Sequence, residues 1–335
     1  MFKKKNISQK VYLDIYDDTT VYFALDVIDY LNHQNLDVIL LKRPFSNASP
    51  RQLALLPRKP RSLFTCFPLM RSRVFITNRP PPKIYFWLIK IFYAKKMIGF
   101  QGGVEQNLFS FISNRAYFDN IFVALKPDHF FLRGLTNLGF FKLSEGHPKF
   151  TFNKKKLTTE INLNKIDTVI FYTQAIAPFE LKDRVKLMHF VIKFCQSCDA
   201  KLIIKLRSLN VENMMHKHKE MHSYDKILEL FDYPAKITVD TIYPDKDGQI
   251  GVTFTSTIFF ELLSKGMPVI ALGDWSLSDP LTVCFKNSTS DCGLVLNYDE
   301  VNWTNKRLFL NDRWVERMLV DKTTFSKNIA EAIFE

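Results

Sequence analysis

Short apolar runs alternate with amphipathic segments along the chain, and this alternation constrains the fold more than any other feature of the sequence. Val11 to Ile15 forms the first predicted strand, and apolar residues at helical spacing from Val21 to Leu31 predict a helix after it. Asp37 to Leu41 is the next predicted strand. Strands that alternate with helices predict βα units and a mostly parallel sheet.

The pattern weakens between Ser144 and Lys165, where the basic run Lys154 to Lys156 lies and little periodicity remains. We interpret this stretch as the connection between two α/β halves. The second half opens with a predicted strand at Thr168 to Tyr172, and a predicted helix follows from about Leu181 to Cys198. A length of 335 residues fits two domains. We therefore expect an N-terminal Rossmann-like domain over residues 1–150 and a C-terminal one over residues 160–335, whose last helix could pack back on the first.

Composition excludes several classes of protein. The chain has only 11 glycines and contains neither a G-x-G-x-x-G nor a G-x-x-x-x-G-K-[ST] pattern, which argues against a dinucleotide-binding Rossmann site and a Walker loop. Its 46 basic and 34 acidic residues give a formal net charge of +12, which favours anionic partners such as nucleotides, nucleic acid or an acidic membrane surface. No RRM, zinc-finger or helix-turn-helix signature is present, so we do not expect nucleic acid as the partner.

The sequence predicts a cytoplasmic protein. Met1 to Lys10 is polar and unlike a secretory signal, no apolar run reaches roughly 18 residues, and five cysteines fit free thiols in a reducing compartment. The best candidate for a membrane contact, Ile84 to Phe92, contains Trp87 and lies among lysines. It fits two alternatives, which are peripheral contact with a membrane interface and a helix or strand of the core.

The strongest candidate site follows a predicted strand that ends near Phe254. Thr255, Ser256 and Thr257 form a predicted turn, and a helix begins there. The free N–H groups and the dipole of a helix N-terminus bind anions, and hydroxyls add hydrogen-bond donors. Glu261 lies one turn later on the same face, where its carboxylate can accept ribose hydroxyls. The alternative is that the three hydroxyl side chains only cap the helix.

Two cations close the predicted strand Lys201 to Leu206. Strand alternation places Lys205 and Arg207 on the face opposite to the apolar residues of that strand. Cations at the carboxyl end of a strand bind phosphate or carboxylate, and arginine does so through a two-pronged fork. The alternative is a surface salt-bridge pair. Asp274, after the predicted strand Pro268 to Leu272, is expected to close the same nucleotide pocket.

The order and spacing of these segments resemble a bacterial family of GT-B glycosyltransferases with a K-L-R motif. The stretches that carry the resemblance are Val169 to Pro178, Ile204 to Arg207, His218 to Glu220, Thr255 to Thr257 and Glu261 to Val269. The N-terminal half is similar more loosely, at Asp14 to Thr19, Ser49 to Gln52 and Gln101 to Glu105. The Ser/Thr turn followed by E-x-x-x-x-G-x-P is also similar to bacterial sialyltransferases, polysialyltransferases and capsular Kdo transferases, which use CMP-activated acidic sugars.

The resemblance implies two Rossmann-like domains that face each other across a cleft, with the donor nucleotide on the second domain. It also implies donor-site roles for Gln174, His218 and Glu220. One departure concerns the nucleotide, because many CMP-sugar enzymes of this fold carry a His-Pro pair after the strand that here continues into Arg207-Ser208. The His-Pro pair that begins at His147 lies in the predicted connection, and we do not assign the binding of the nucleotide phosphate to it. The sequence therefore allows more than one donor nucleotide.

An inverting transferase needs a general base for the acceptor hydroxyl, and two places in the N-terminal half offer a carboxylate. Asp17 and Asp18 follow the first predicted strand, where paired carboxylates can raise the pKa of one of them. Glu105 follows two glycines, which allow the backbone to approach a ligand closely. The alternatives are a turn at Asp17-Asp18 and a salt bridge from Glu105 to Arg115.

We expect an inverting glycosyltransferase without an essential metal or other cofactor. His216 and His218 would point to different sides of a helix, and no Asp-x-Asp motif flanked by strand residues is present. The expected donor is a CMP-activated sialic acid, and the expected acceptor is a terminal sugar of a lipo-oligosaccharide or surface glycan at the inner membrane. The alternatives are a transferase of Kdo or of a UDP- or GDP-hexose, and a non-catalytic module that binds nucleotide sugars or glycans.

Overall fold

The computed structural model divides the chain into two compact units. The residues that it describes are 10–34, 36–62, 74–92, 94–101, 116–127, 132–133, 141–174, 178, 180–206, 223–245, 247–272, 291–296 and 306–335. Unit 1 comprises Met1–Thr151 together with Leu319–Glu335, and unit 2 comprises Phe152–Met318.

Strands and helices alternate within both units. In chain order the described elements are β1 (Lys10–Ile15), α1 (Asp18–Leu31), β2 (Asp37–Lys42), α2 (Pro50–Leu53), β3 (Arg61–Ser62), β4 (Val74–Thr77), α3 (Lys83–Phe92), β5 (Lys96–Phe100), β6 (Asn120–Val123), β7 (Lys142–Glu145), β8 (Glu160–Asn162), β9 (Thr168–Tyr172), α4 (Leu181–Cys198), β10 (Lys201–Lys205), α5 (Tyr224–Leu228), β11 (Ala235–Thr238), β12 (Gln249–Thr253), α6 (Ile258–Ser264), β13 (Val269–Leu272), β14 (Val295–Leu296), β15 (Arg307–Phe309), α7 (Asp312–Met318) and α8 (Lys322–Phe334).

The sheet of unit 1 has seven described strands in the order β3-β2-β1-β4-β5-β6-β7, and all of its pairings are parallel. Its central strands are apolar without alternation, because helices cover both faces of such a sheet. Val11 and Leu13 of β1 belong to one buried cluster, which includes Phe23 of α1. Tyr12 belongs to the cluster on the opposite face, which includes Phe86 of α3.

The last helix of the chain, α8, completes the core of unit 1. Its Phe325 is fully buried, and its ring lies edge-on to Tyr30 at 4.7 Å and to Phe122 at 6.0 Å between centroids. The last helix thus packs back on the N-terminal residues, the possibility left open by the sequence, and unit 2 stops at Met318. The physical reason is that the apolar face of α8 is buried among N-terminal residues.

The sheet of unit 2 has six described strands in the order β11-β10-β9-β12-β13-β14, again with parallel pairings throughout. Counted within this sheet alone, the order is 3-2-1-4-5-6, the order of a Rossmann sheet. The long helix α4 has the bounds that its periodicity predicts, and it buries Leu187, Val191 and Phe194. A separate two-stranded antiparallel ribbon joins β8 to β15.

The chain enters unit 2 at Phe152, inside the stretch that the sequence indicates as a connection. This stretch packs tightly in places, since Phe150 and Phe152 are both buried. Gly266, after α6, lies against the Lys156 carbonyl. Its φ is +68°, and a Cβ added there would lie 1.8 Å from the Lys156 oxygen, so only glycine fits.

The segment from Ile84 to Phe92 is a helix, α3, and not a strand. Its Phe86 and Ile89 are buried in the core of unit 1. Across the described parts of the chain, every helix is too short or too polar to cross a bilayer.

Candidate functional site

The sheet of unit 2 reverses its strand order between β9 and β12. From β9 the sheet grows to one side through β10, and from β12 it grows to the other side through β13. Ligands of parallel α/β sheets bind outside the carboxyl ends of the strands at such a reversal, where a crevice opens. The candidate site of unit 2 is therefore the edge formed by the residues that follow β9, β10 and β12.

Gln174 and Thr255, both predicted from the sequence, meet at this reversal. The amide oxygen Oε1 of Gln174 accepts a hydrogen bond from the Thr255 backbone N–H at 2.7 Å. The Thr255 hydroxyl lies 3.2 Å from Nε2 and 3.3 Å from Oε1 of the same amide. Because Thr255 is buried and Gln174 is half-buried, these contacts hold together the two segments that follow β9 and β12.

Lys205 ends β10 beside this contact. The backbone N–H of Thr173 donates to the Lys205 carbonyl at 3.1 Å, and the Thr173 hydroxyl lies 3.3 Å from the same oxygen. The Lys205 ammonium donates to the carbonyl of Leu206 at 2.6 Å. The strand alternation expected here is confirmed for the apolar side, since Leu202 and Ile204 are buried while Lys205 is half-buried. An ammonium group therefore lies at the carboxyl edge of the sheet.

The turn of hydroxyl residues leads into a short helix, as the sequence predicts. Thr257 is the N-cap of α6, but its side chain makes no capping hydrogen bond. The Ser256 hydroxyl receives the N–H of Ile258 at 3.4 Å, near the limit for such a bond. Capping therefore does not account for all three hydroxyl side chains. Because α6 has only seven residues, its dipole alone makes a weak anion site.

Glu261 belongs to a network that the sequence did not reveal. Its Oε1 accepts hydrogen bonds from the Tyr243 hydroxyl at 3.0 Å and from the Lys265 ammonium at 2.7 Å. The Lys265 ammonium also lies 4.2 Å above the Tyr243 ring. Burial and the Glu261 charge raise the pKa of Tyr243 to about 12, so its hydroxyl keeps its proton and donates. The carboxylate that the sequence assigns to ribose binding thus has two partners within unit 2.

Tyr172 ties this network to the sheet. Its hydroxyl donates to the carbonyl of Ile242 at 2.8 Å, next to Tyr243 in the chain. Burial raises the pKa of Tyr172 well above its usual range, with smaller contributions from Tyr243 and Glu261, so this donor also stays protonated. The i, i+4 spacing of Glu261 and Lys265 was the only sequence signal for the network.

The carboxyl edge of the unit 1 sheet contains a buried ion pair. Asp14, near the end of β1, receives two hydrogen bonds from the Arg43 guanidinium and one from the Thr77 hydroxyl at 2.6 Å. Burial alone would lower the pKa of Arg43, but the Asp14 carboxylate outweighs it and the pKa is raised. The guanidinium also donates to the carbonyl of Arg79 and lies 4.6 Å from the Tyr16 ring centroid. The ends of β1, β2 and β4 are thereby held together.

The two predicted base candidates of the first turn both have structural partners. Asp17 is the N-cap of α1, where its carboxylate accepts the Thr20 N–H at 2.9 Å and the Thr20 hydroxyl completes a capping box. Its second oxygen lies 3.4 Å from the Nε atom of Arg79. Asp18 accepts the backbone N–H of Ser49 at 2.6 Å. The turn that the sequence offers as the alternative is present, and the role of either carboxylate as a base stays a prediction.

A pocket of about 410 Å³ opens at this edge of unit 1. It is lined by Tyr16, Arg43, Arg79, Pro80, Pro81, Pro82, Lys83 and Tyr117. Its walls combine cationic and aromatic side chains, which suits a ligand that has both an anionic group and an apolar or sugar face.

The His-Pro pair lies in unit 1. His147 is buried, its ring stacks on Phe150 at 4.7 Å, and its Nδ1 accepts the Lys149 N–H at 3.2 Å. Burial lowers the pKa of His147 to about 3, the Lys149 charge adds to the decrease, and a contact with the Gln101 backbone opposes it. The imidazole is therefore a neutral group in the core of unit 1.

Five predicted site residues lie outside the described residues. They are Glu105, Arg207, His218, Glu220 and Asp274. Arg115, the alternative partner of Glu105, lies there as well. Within the described ranges, no group of three or more His, Cys, Asp or Glu side chains is placed to hold a metal ion.

Solved structures of similar fold exist. A "putative UDP-N-acetylglucosamine 2-epimerase" from Listeria monocytogenes is similar over 97% of this chain and 95% of its own, with a TM-score of 0.56 and 11% identity. The S. aureus MnaA in a UDP co-structure covers 96% and 95%, with a TM-score of 0.53 and 12% identity. An alpha-glucosyltransferase (AGT) in complex with UDP covers 97% and 100%, with a TM-score of 0.52 and 13% identity. These likenesses confirm the expected α/β fold of the GT-B class.

Sequence comparison gives a family but no individual relative. No curated protein matches the chain at a significant level. The family described as "Putative glycosyltransferase (DUF6716)" matches residues 119–333, which is most of the chain. This match extends from β6 to α8 and includes the whole edge at which Gln174 and Thr255 meet. The chain belongs to this glycosyltransferase family.

Proposed function

We propose that the protein is an inverting glycosyltransferase that binds the nucleotide of its sugar donor at the carboxyl edge of the unit 2 sheet. The observation that carries the proposal is the contact of Gln174 with Thr255, because it lies where the strand order reverses. The hydroxyl of Ser256 and the ammonium of Lys205 lie along the same edge and are suited to bind phosphate oxygens. Membership of a glycosyltransferase family supports the assignment.

The donor that we propose first is a CMP-activated sialic acid or a related acidic sugar. The support is the motif that runs from the Thr255 turn through Glu261 to Pro268, together with the basic character of the chain. A UDP-hexose is the second candidate, because two of the solved structures of similar fold contain UDP. Donors of Kdo or of a GDP-hexose are further alternatives.

The proposed reaction is a single displacement. The acceptor hydroxyl oxygen forms a bond to the anomeric carbon while the bond from that carbon to the donor phosphate breaks, and its electron pair stays on the phosphate oxygen. The hydroxyl proton passes to a carboxylate base. Lys205 and Arg207 are the proposed cations that stabilise the departing phosphate, and His218, Glu220 and Asp274 are proposed to line the donor site.

The base is proposed among Glu105, Asp17 and Asp18, with Glu105 first. The test replaces each by its neutral isostere, through Glu105→Gln, Asp17→Asn and Asp18→Asn. Asparagine caps a helix as well as aspartate does, so the variant at Asp17 keeps the start of α1 intact. Loss of the true base should lower turnover by about 10²–10⁴-fold and leave nucleotide affinity unchanged. Near-normal turnover in all three variants would place the base elsewhere.

The acceptor that we propose is a terminal sugar of a lipo-oligosaccharide or surface glycan at the cytoplasmic face of the inner membrane.

No essential metal is proposed, because cationic side chains would balance the charge of the departing phosphate. Turnover should therefore persist in excess EDTA. Complete loss that magnesium or manganese restores would contradict this part of the proposal.

Nucleotide binding is the primary test. CMP, UMP, UDP and GDP are titrated against the purified chain, and a ligand at about 100 times its dissociation constant should stabilise it by about 2.7 kcal/mol. Gln174→Ala should weaken binding by about 2- to 13-fold, the value of one hydrogen bond. Gln196→Ala, at an exposed position of α4, is the matched control and should change nothing.

Two results separate the alternatives. Unchanged affinity in the Gln174 variant would refute the proposed place of the nucleotide. Binding of a nucleotide sugar without hydrolysis or transfer, across a panel of donors and acceptors, would indicate a non-catalytic binding module.

A further inference from the structure

The outward face of α3 carries a continuous apolar stripe. Ile84, Trp87, Leu88 and Ile91 follow the i, i+3, i+4, i+7 spacing that places side chains on one face of a helix. Their exposed fractions are 71%, 59%, 40% and 55%. Single exposed apolar residues are common on protein surfaces, but four large ones in register on a ten-residue helix mark an interaction surface.

The exposure of the stripe does not come from a loosely packed helix. The opposite face of α3 is anchored in the core of unit 1 by Phe86 and Ile89, which are 2% and 0% exposed. The Phe86 ring lies 4.2 Å from that of Tyr117 and 5.8 Å from that of Phe118, between centroids. The fold therefore presents the stripe on a fixed support.

Basic residues flank the stripe. Lys83 begins α3 and Lys95 follows its end, and both are exposed. Lys90 pairs with Asp119 on the side of the helix. A helix with an apolar face, a tryptophan and flanking lysines binds the boundary between acyl chains and anionic headgroups, where the lysines keep their charge in water.

A second copy of the chain fits this surface less well than a bilayer does. A ten-residue helix is about 15 Å long and about 10 Å wide. The area of its outward face is therefore far smaller than the roughly 800 Å² that each partner buries in a stable interface. Pairing two such faces would also bring the flanking lysines of both copies together in a chain whose net charge is already +12. An anionic surface complements these charges.

We propose that α3 docks the protein on an anionic phospholipid bilayer through Ile84, Trp87, Leu88 and Ile91. The pocket of unit 1 includes Lys83, the first residue of the same helix. Docking would thus hold this pocket beside the lipid headgroups, where the sugar of a membrane-bound acceptor is presented. The evidence for the docking surface is the exposure of its apolar side chains and the charge of the flanking lysines, and it does not depend on the identity of the sugar donor.

The test is co-sedimentation of the full chain with phosphatidylcholine vesicles, with and without phosphatidylglycerol. We expect binding only to the anionic vesicles and weaker binding as sodium chloride is raised. The double variant Trp87→Gln/Ile91→Gln should weaken binding by at least about tenfold, because it removes two apolar anchors from the contact. Leu55→Gln/Leu230→Gln, at exposed apolar positions outside α3, is the matched control and should bind as the unmodified chain does.

The outcomes are distinct. Absence of binding to anionic vesicles, or equal binding by both double variants, would overturn the proposal. A concentration-dependent dimer that the α3 variant abolishes would assign the stripe to a second copy instead. Nucleotide affinity, measured in parallel, should be the same in the α3 variant as in the unmodified chain. Vesicle binding without nucleotide binding would contradict the proposed function and leave the docking surface intact.

Discussion

Replacing Asp14 by asparagine is expected to destabilise unit 1 by about 3–5 kcal/mol. The carboxylate is fully buried and accepts two charge-assisted hydrogen bonds from Arg43 and one from Thr77. Asparagine has a similar shape but no charge, so it leaves a guanidinium buried without its counter-ion. The expected cost is that of an uncompensated buried charge, and it exceeds the net value of the original pair.

Removing both partners should cost less than removing one. In an Asp14→Leu/Arg43→Met variant no buried charge remains, and the Thr77 hydroxyl still has the Arg79 carbonyl as an acceptor at 2.9 Å. A loss of about 1 kcal/mol or less is expected for this double variant. The single variants therefore should not add, and the non-additivity is the signature of the pair.

The assay is equilibrium unfolding in urea, followed by far-UV circular dichroism. The control is Glu335→Gln, which breaks an exposed ion pair with Lys142 in the same unit and should produce no measurable change. A destabilisation below about 1 kcal/mol for Asp14→Asn, or a double variant whose cost equals the sum of the singles, would refute the reasoning.

Three further predictions concern stability. The pKa of His147 is about 3 in the fold and about 6.5 in the unfolded chain, so only the unfolded state gains a proton as the pH falls through 6.5. The free energy of unfolding should therefore decrease by about 2 kcal/mol by pH 5. Urea unfolding of a His147→Phe variant should lack this part of the pH dependence. Gly266→Ala should cost at least about 2 kcal/mol in a thermal melt, because its Cβ would collide with the Lys156 carbonyl, and an unchanged midpoint would contradict this. Phe325→Ala should destabilise unit 1 by about 3–5 kcal/mol, whereas Phe334→Ala, at an exposed position of the same helix, should be silent in the same urea titration.

The sequence predicted the elements whose burial is periodic or complete. The helix from Leu181 to Cys198 and the strand from Thr168 to Tyr172 have the bounds that the apolar pattern indicates. The strand β7 was not predicted, because Lys142–Glu145 lies at the edge of the sheet and none of its side chains is fully buried. The ribbon of β8 and β15 escaped for a similar reason, since two strands of three residues carry almost no periodicity.

Some residues of the candidate site were likewise predicted from the sequence, and others were missed. Thr255 was found because it follows a predicted strand, and parallel strands bring their carboxyl ends to one edge. Gln174 was found through the resemblance to the glycosyltransferase family. The network around Glu261 was missed because Tyr243 is 18 residues away in the chain. The ion pair of Asp14 with Arg43 was missed because it joins the ends of different strands. The order of the strands in a sheet cannot be predicted from the local apolar pattern of the sequence.

The position of α8 in unit 1 has a consequence for synthesis on the ribosome. The residues up to Thr151 are made before unit 2, yet the helix that covers Tyr30 and Phe122 is made after it. At about 5–20 residues per second, synthesis from Phe152 to the end of α8 takes about 10–40 s. Unit 2 is continuous from Phe152 to Met318, so its core needs no segment from outside that range. Unit 1, in contrast, cannot complete its core until α8 has been made, and during that time the apolar side chains that α8 covers, Tyr30 and Phe122 among them, lack this cover.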